Sequence, residues 1–152
     1  MSKTDGNSHA DKAAKYNESY NCAQSVLAAY ADDYGLDLER ALQIAVGFGA
    51  GMGRKQDVCG AISGAVIVFG LASKFKVEDS RPKINEVYPK VHKYIDDFKA
   101  HYGTVDCLDL LDGCDLSTDE GRKRFMEDNR REKCREYIRF CCDLLDKHLG
   151  ET

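Results

Sequence analysis

Apolar residues recur at three- and four-residue intervals along almost the whole chain, a spacing that α-helices bury on one side and strands do not. After Asn21 the segment CAQSVLAAYADDY puts Cys22, Val26, Ala29 and Tyr30 on one stripe; Asn21 and Gln24 make a capping box, and Gly35 is the natural stop. Asp37 caps a second helix, with Leu38, Leu42, Ala45 and Val46 expected to face inward. A third runs from Val58 towards Ser73, where Gly60, Ala61, Gly64 and Ala65 let a neighbouring backbone come close. Beyond Arg81-Pro82, residues Ile84, Val87, Val91, Tyr94, Ile95 and Phe98 share one face of a long helix that ends near Gly103, with Pro89 starting or kinking it. Asp106 caps a short helix holding Cys107, Leu108, Leu110 and Leu111, and Ser117 or Thr118 opens another turn or two. The last helix, from about Arg131 to Leu149, is expected to bury Cys134, Tyr137, Ile138, Cys141, Leu144, Leu145 and His148. The fold class is all-α: a single-domain helical bundle of five to seven helices over residues 12–152, preceded by a polar, flexible tail at residues 1–11.

A chain of 152 residues suits one core, and its net charge of −4 is too mild to name a nucleic acid or an acidic membrane as partner. The most apolar stretch, Ala61 to Ala72, is shorter than a membrane span and contains Ser63, Gly64 and Gly70. The seven cysteines cannot all pair, and the start of the chain lacks the apolar run of a secretory signal, so a reducing, cytoplasmic setting is expected.

Four of those cysteines share a context. Cys22 follows the cap Asn21, Cys59 follows Asp57-Val58, Cys107 follows Asp106, and Cys134 falls in the first turn of the last helix. A helix N-terminus offers unsatisfied N–H groups and the positive end of the dipole, which favour thiolate, the form that binds metals and attacks disulfides. If the four ends converge, they form a thiolate pocket suited to a cluster, a zinc ion or a dithiol. The intervals of 36, 47 and 26 residues match no zinc knuckle, ferredoxin, thioredoxin or haem-attachment spacing. Cys141 and Cys142, mid-helix beside Ile138 and Leu145, read as small core residues; Cys114 is either a buried loop thiol or a resolving partner for Cys107.

Alternating Gly47, Gly49, Gly51 and Gly53 lack the preceding strand of a dinucleotide fingerprint, and Met52 stands where its third glycine belongs. Gly49, Gly51, Gly53 and Gly60 are instead candidates for bringing backbone N–H groups up to a cofactor's sulfur; a tight interhelix connection is the alternative. Arg54 and Lys55 either neutralise an anionic site or are solvated. From Arg122 to Arg135, seven basic residues stand against three acids, a stretch that could dock an acidic redox partner, depress the Cys134 thiol, or form a solvated face. No histidine pair at i,i+4 and no Ser/His/Asp grouping suggests another active site.

N-C-A-Q-S-V-L at Asn21 to Leu27, G-F-G-A-G-M-G-R at Gly47 to Arg54, C-G-A-I-S-G-A at Cys59 to Ala65, and isolated Cys107 and Cys134 resemble the C_GCAxxG_C_C family, described as redox-active. The resemblance runs from Asn21 to about Leu149 and maps the family's four cysteines to Cys22, Cys59, Cys107 and Cys134, although V-C-G-A-I-S-G departs from the family's G-C-A-x-x-G. The cysteine module also looks like that of split-Soret cytochromes, where an iron–sulfur centre is associated; with no C-x-x-C-H, the haems are not implied here. Redox activity is what the resemblance implies. The expected function is electron transfer by a [2Fe-2S] iron–sulfur cluster on the quartet; the alternatives are a metal-free thiol–disulfide enzyme or sensor, and a structural zinc-binding interaction module. The expected partner is a redox protein, with a second copy of the chain left open.

Overall fold

The computed structural model describes residues 8–79 and 82–150. Among them are eight helices: α1 (His9–Tyr16), α2 (Cys22–Ala31), α3 (Leu38–Ala45), α4 (Gly60–Ala72), α5 (Pro82–Tyr102), α6 (Cys107–Leu110), α7 (Asp119–Glu127) and α8 (Arg131–Leu149). Short 3₁₀ turns at Asp32–Tyr34 and Val46–Phe48 close α2 and α3. No strand occurs among the described residues, and none of the helices is long and apolar enough to cross a membrane.

Helix α2 is the centre. Side chains from Ala23 to Ala31 are all buried, because α1, α3, α4 and α8 pack around it. Its start is set by the expected capping box: Asn21 accepts from the Gln24 N–H, and the Gln24 side chain accepts from the Asn21 N–H. Helix α4 crosses α2 at Gly60 and Gly64. A Cβ at Gly64 would lie 2.8 Å from the Ala23 carbonyl oxygen and 3.0 Å from Val26 Cβ, so the crossing needs a hydrogen there. That closeness brings Cys59, the N-cap of α4, beside Cys22, the first residue of α2. Helix α8 closes the bundle, burying Tyr137, Ile138, Cys141, Cys142, Leu145 and His148. The Tyr30 and Tyr94 hydroxyls donate to the Cys142 and Cys141 carbonyls at 3.0 and 2.8 Å, satisfying polar groups that the core would otherwise strand.

Two expectations are corrected. Residues 9–11 belong to helix α1, whose cap Ser8 accepts from the Asp11 N–H; residues 1–7 of the expected tail lie outside the described residues. The signal was weak because only alanines, Ala10, Ala13 and Ala14, mark the buried side of α1. Leu38 on α3 and Val46 just after it are 42% and 57% exposed, and Ala41 and Ala45 take the fully buried positions where α3 packs on α2. Of the two caps expected for α7, Thr118 serves, accepting from the Gly121 N–H at 2.9 Å.

His9 ties α1 to both ends of the chain. Its ring stacks on Tyr30 at 3.8 Å between centroids, with Nδ1 2.8 Å from Asp146 and Nε2 2.6 Å from Asp33. The Asp146 contact, helped by Asp33, raises the His9 pKa above its usual 6.5 against the opposing effect of burial. A histidine whose pKa is raised on folding stabilises fully below its unfolded value, and that contribution disappears as pH rises through the folded value. His9→Gln should therefore destabilise the protein more at pH 5.5 than at pH 8.5 in urea titrations; equal losses at both would show that the ring acts by packing alone.

Candidate functional site

The four cysteines selected by their helix starts line one cavity of about 420 Å³. Each arrives at or near the start of a helix. Cys22 and Cys107 are the first residues of α2 and α6, Cys59 caps α4, and Cys134 is the fourth residue of α8. Cys59 and Cys107 are held together by a short backbone pairing that the sequence pattern does not announce. Cys59 N–H donates to the Val105 carbonyl at 2.8 Å and Cys107 N–H to the Asp57 carbonyl at 2.7 Å, around an antiparallel bridge between Val58 and Asp106. Cys134 is set by its own helix: the Tyr137 hydroxyl donates to the Leu110 carbonyl at 2.7 Å, and Arg131 donates to the Asn17 carbonyl at 3.1 Å.

Gln56, which sequence reasoning missed, organises the Cys107 side. It is 4% exposed; its Nε2 donates to the Cys114 carbonyl at 2.8 Å, its Oε1 accepts from the Leu116 N–H at 2.7 Å, and its amide favours the Cys107 thiolate by hydrogen bonding. Its only advance signal was a lone amide residue closing the glycine segment.

That segment is wound left-handed. Ala50, Gly51, Met52, Gly53 and Arg54 all have positive φ, as does Gln56, and the run follows a 3₁₀ turn rather than a strand. Four of these six are not glycine, at roughly 1–2 kcal/mol each for the conformation. Donation from Gly53 N–H to the Gly49 carbonyl, from Gln56 N–H to Ala50 and from Asp57 N–H to Gly51 holds the turn. Of the glycines read as cofactor-facing, Gly60 lines the cavity, and Gly49, Gly51 and Gly53 are not among its described lining residues. Gly51 serves the turn itself, since a Cβ there would lie 2.6 Å from Gln56 Cα.

The charge state differs from the helix-terminus expectation. Burial pushes the Cys59 thiol up to about 11 and the Cys107 thiol up to about 12, outweighing the Ala61 and Ile62 N–H groups at Cys59 and the Gln56 amide at Cys107. Cys22 and Cys134 act on each other: interaction with Cys134, together with burial, raises Cys22 well above the ordinary thiol range, and Cys22 lowers Cys134, with Arg131 assisting at Cys134. Among the four, Cys134 alone has its pKa lowered and is the readiest of them to ionise.

All seven cysteines are free. Cys114, fully buried, donates its thiol to the Gly121 carbonyl at 3.2 Å and is not among the described lining residues of the cavity. Cys141 and Cys142 are fully buried in the main core. Among the described lining residues there is no Asp, Glu or His, and the charged ones are Arg54, Arg122 and Arg131. Among the described residues no three His, Cys, Asp or Glu side chains are grouped tightly enough for a single metal ion. Arg130 is not a free docking residue: its guanidinium donates to the Leu111 carbonyl at 2.7 Å and pairs with Asp128 and Asp112. Exposed positive charge in this stretch lies at Lys123, Arg124, Arg131 and Lys133.

A family model described as "Putative redox-active protein (C_GCAxxG_C_C)" matches residues 20–148. A curated protein of Archaeoglobus fulgidus, itself described as uncharacterized, is 28% identical over 118 residues, covering 73% of this chain and 78% of the relative. No solved structure matches the chain.

Proposed function

Because the chain belongs to the C_GCAxxG_C_C family, we propose that it is a redox protein whose Cys22, Cys59, Cys107 and Cys134 hold an iron–sulfur cluster, of the [2Fe-2S] type, for electron transfer. The observation that carries this reading is the single cavity lined by four cysteines, with no carboxylate or imidazole among its described lining residues. An all-sulfur donor set selects soft metals and iron–sulfur centres. Four thiolates would also suit a lone tetrahedral zinc ion, but the intervals between these cysteines contain none of the short knuckles usual in structural zinc sites, which makes zinc the weaker reading. Bound there, the cluster would supply a one-electron centre.

The chain's own residues would then hold and shield it. Cys59 and Cys107, 5% and 8% exposed, fix the inner side, and Arg54, Arg122 and Arg131 offset the negative charge of four thiolates. Lys123, Arg124, Arg131 and Lys133 offer an acidic redox partner a positive surface, and seven free thiols suit a cytoplasmic setting.

A second reading has its own observation. Cys22 and Cys134 line the same cavity and perturb each other's titration, and their oxidation to a disulfide would give two electrons and two protons to an acceptor. Anaerobic purification followed by visible absorption and iron, sulfide and zinc analysis separates the cases. Colour with about two iron and two sulfide per chain supports the cluster. Cys22→Ser and Cys134→Ser should each lose most of the iron, and Cys142→Ser, in the core, should keep it; equal iron in all three would overturn the assignment. A metal-free chain with a reducible Cys22–Cys134 disulfide favours the second reading, and zinc alone the structural module.

A further inference from the structure

The four sulfurs of the cavity are not equally open. Cys59 and Cys107 are buried, whereas Cys22 and Cys134 are half-buried, so a molecule entering from solvent meets Cys22 and Cys134 first.

Every charged residue among the described lining residues is an arginine. Arg122 is engaged by Asp119 and by the Leu116 carbonyl. Arg54 and Arg131 are exposed, and neither pairs with a carboxylate among the described residues; Arg131 reaches only the Asn17 carbonyl, at 3.1 Å. With no acid on the wall to offset them, these two guanidiniums draw anions into the cavity and turn cations away. Arg131 and Cys134 stand three positions apart on one face of α8, so an anion held by that guanidinium lies beside that sulfur. The residues flanking Cys22, Asn21 and Ala23, carry no charge.

We propose that Cys134 exchanges with low-molecular-weight disulfides that carry a carboxylate, drawn in by Arg54 and Arg131, and that Cys22 resolves the mixed disulfide. The cavity of about 420 Å³ falls in the usual range for small-molecule sites. In the first step the Cys134 sulfur bonds to one sulfur of the guest, the guest's S–S bond breaks, and the other half leaves as a thiol with the Cys134 proton. In the second, the Cys22 sulfur bonds to Cys134 and the remaining half leaves as a thiol with the Cys22 proton. The protein gives up two electrons and two protons, and the disulfide takes both. The inference rests on the thiol–disulfide reading and deepens it by naming the oxidant.

The test mixes the anaerobically purified, reduced full-length protein with dithiodipropionate, hydroxyethyl disulfide and cystamine, which are anionic, neutral and cationic on similar scaffolds. Each rate is divided by that of the same disulfide with free mercaptoethanol, which removes intrinsic reactivity. The anionic disulfide should then react about ten-fold faster than the cationic one at low salt, with the ratio shrinking as salt is added. Arg131→Gln should cut that ratio about three-fold. Arg54→Gly, a substitution that the positive φ of 68° accepts, should do the same and keeps the inference testable should Arg131→Gln fail to fold. Mass spectrometry of Cys22→Ser should find the mixed disulfide on Cys134. Equal normalised rates, or a mixed disulfide on another cysteine, would overturn the inference; if a Cys22–Cys134 disulfide still forms, the thiol–disulfide reading survives. No reaction with any of the three sinks both, and a chain that holds iron and resists all three disulfides sinks both while upholding the cluster.

Discussion

Leucine in place of Gln56 is expected to cost about 3–5 kcal/mol and to loosen the segment that carries Cys107, Cys114 and Leu116. The wild-type amide reaches two backbone groups from one buried position, the Cys114 carbonyl and the Leu116 N–H. Leucine has nearly the same volume, so the loss is not a cavity; it is two buried polar groups left without partners at about 1–3 kcal/mol each. Gln56 also sits at φ 57°, where a branched side chain adds strain. Urea unfolding should show a lower midpoint with an unchanged slope, and the variant should retain less iron under the cluster reading. A loss below about 1 kcal/mol would mean that water replaces the amide, and Gln56 would no longer be the link between the left-handed turn and the α6–α7 segment.

Gly121→Ala should be comparably severe through a different cause. A Cβ at Gly121 would fall 1.6 Å from the Asp115 carbonyl oxygen, an overlap with backbone that no rotamer relieves. Gly121 also receives the Cys114 thiol on its carbonyl and donates its N–H to the Thr118 cap, so displacing it disturbs both ends of the α6–α7 connection. A destabilisation of about 3 kcal/mol or more, seen as a fall in Tm of roughly 6–12 °C, is expected. Gly70→Ala is the control. Nothing lies within 4 Å of a Cβ there, and alanine in the interior of α4 should be neutral or gain up to about 1 kcal/mol. Similar Tm values for the two variants would remove the steric argument.

These two residues also mark where sequence reading stops. Helices α2 to α8 were legible because their signals are local: the Asn21–Gln24 box, the Asp37 cap, the stripe of α5 and the alternating buried and exposed turns of α8. Small residues at Gly60 and Gly64 were enough to anticipate a close crossing, though not to name α2 as its partner. Helix α1 escaped because alanines carry little hydrophobic contrast, and the inward side of α3 was misjudged because apolar spacing favoured Leu38 over Ala41.

Cysteines at helix starts could be read from the sequence, and they line one cavity. Their ionisation could not be read, since burial depends on the finished fold and exceeds the pull of the local N–H groups at Cys59 and of the Gln56 amide at Cys107. Nor could the pairing of residues 56–59 with 105–108, a contact between segments almost fifty positions apart that no local pattern encodes. Gln56 is meaningful only once that pairing exists.

The bridge, the α2–α4 crossing and the start of α8 together tie the sulfurs to points from Cys22 to Cys134, most of the chain's length. Such distant segments carry a high entropic cost of closure and meet late in folding. A nascent or truncated polypeptide that ends before α8 therefore exposes three of the four sulfurs but cannot enclose anything between them. Completion of the pocket coincides with completion of the domain, so occupancy by any four-sulfur guest would report that maturation had finished.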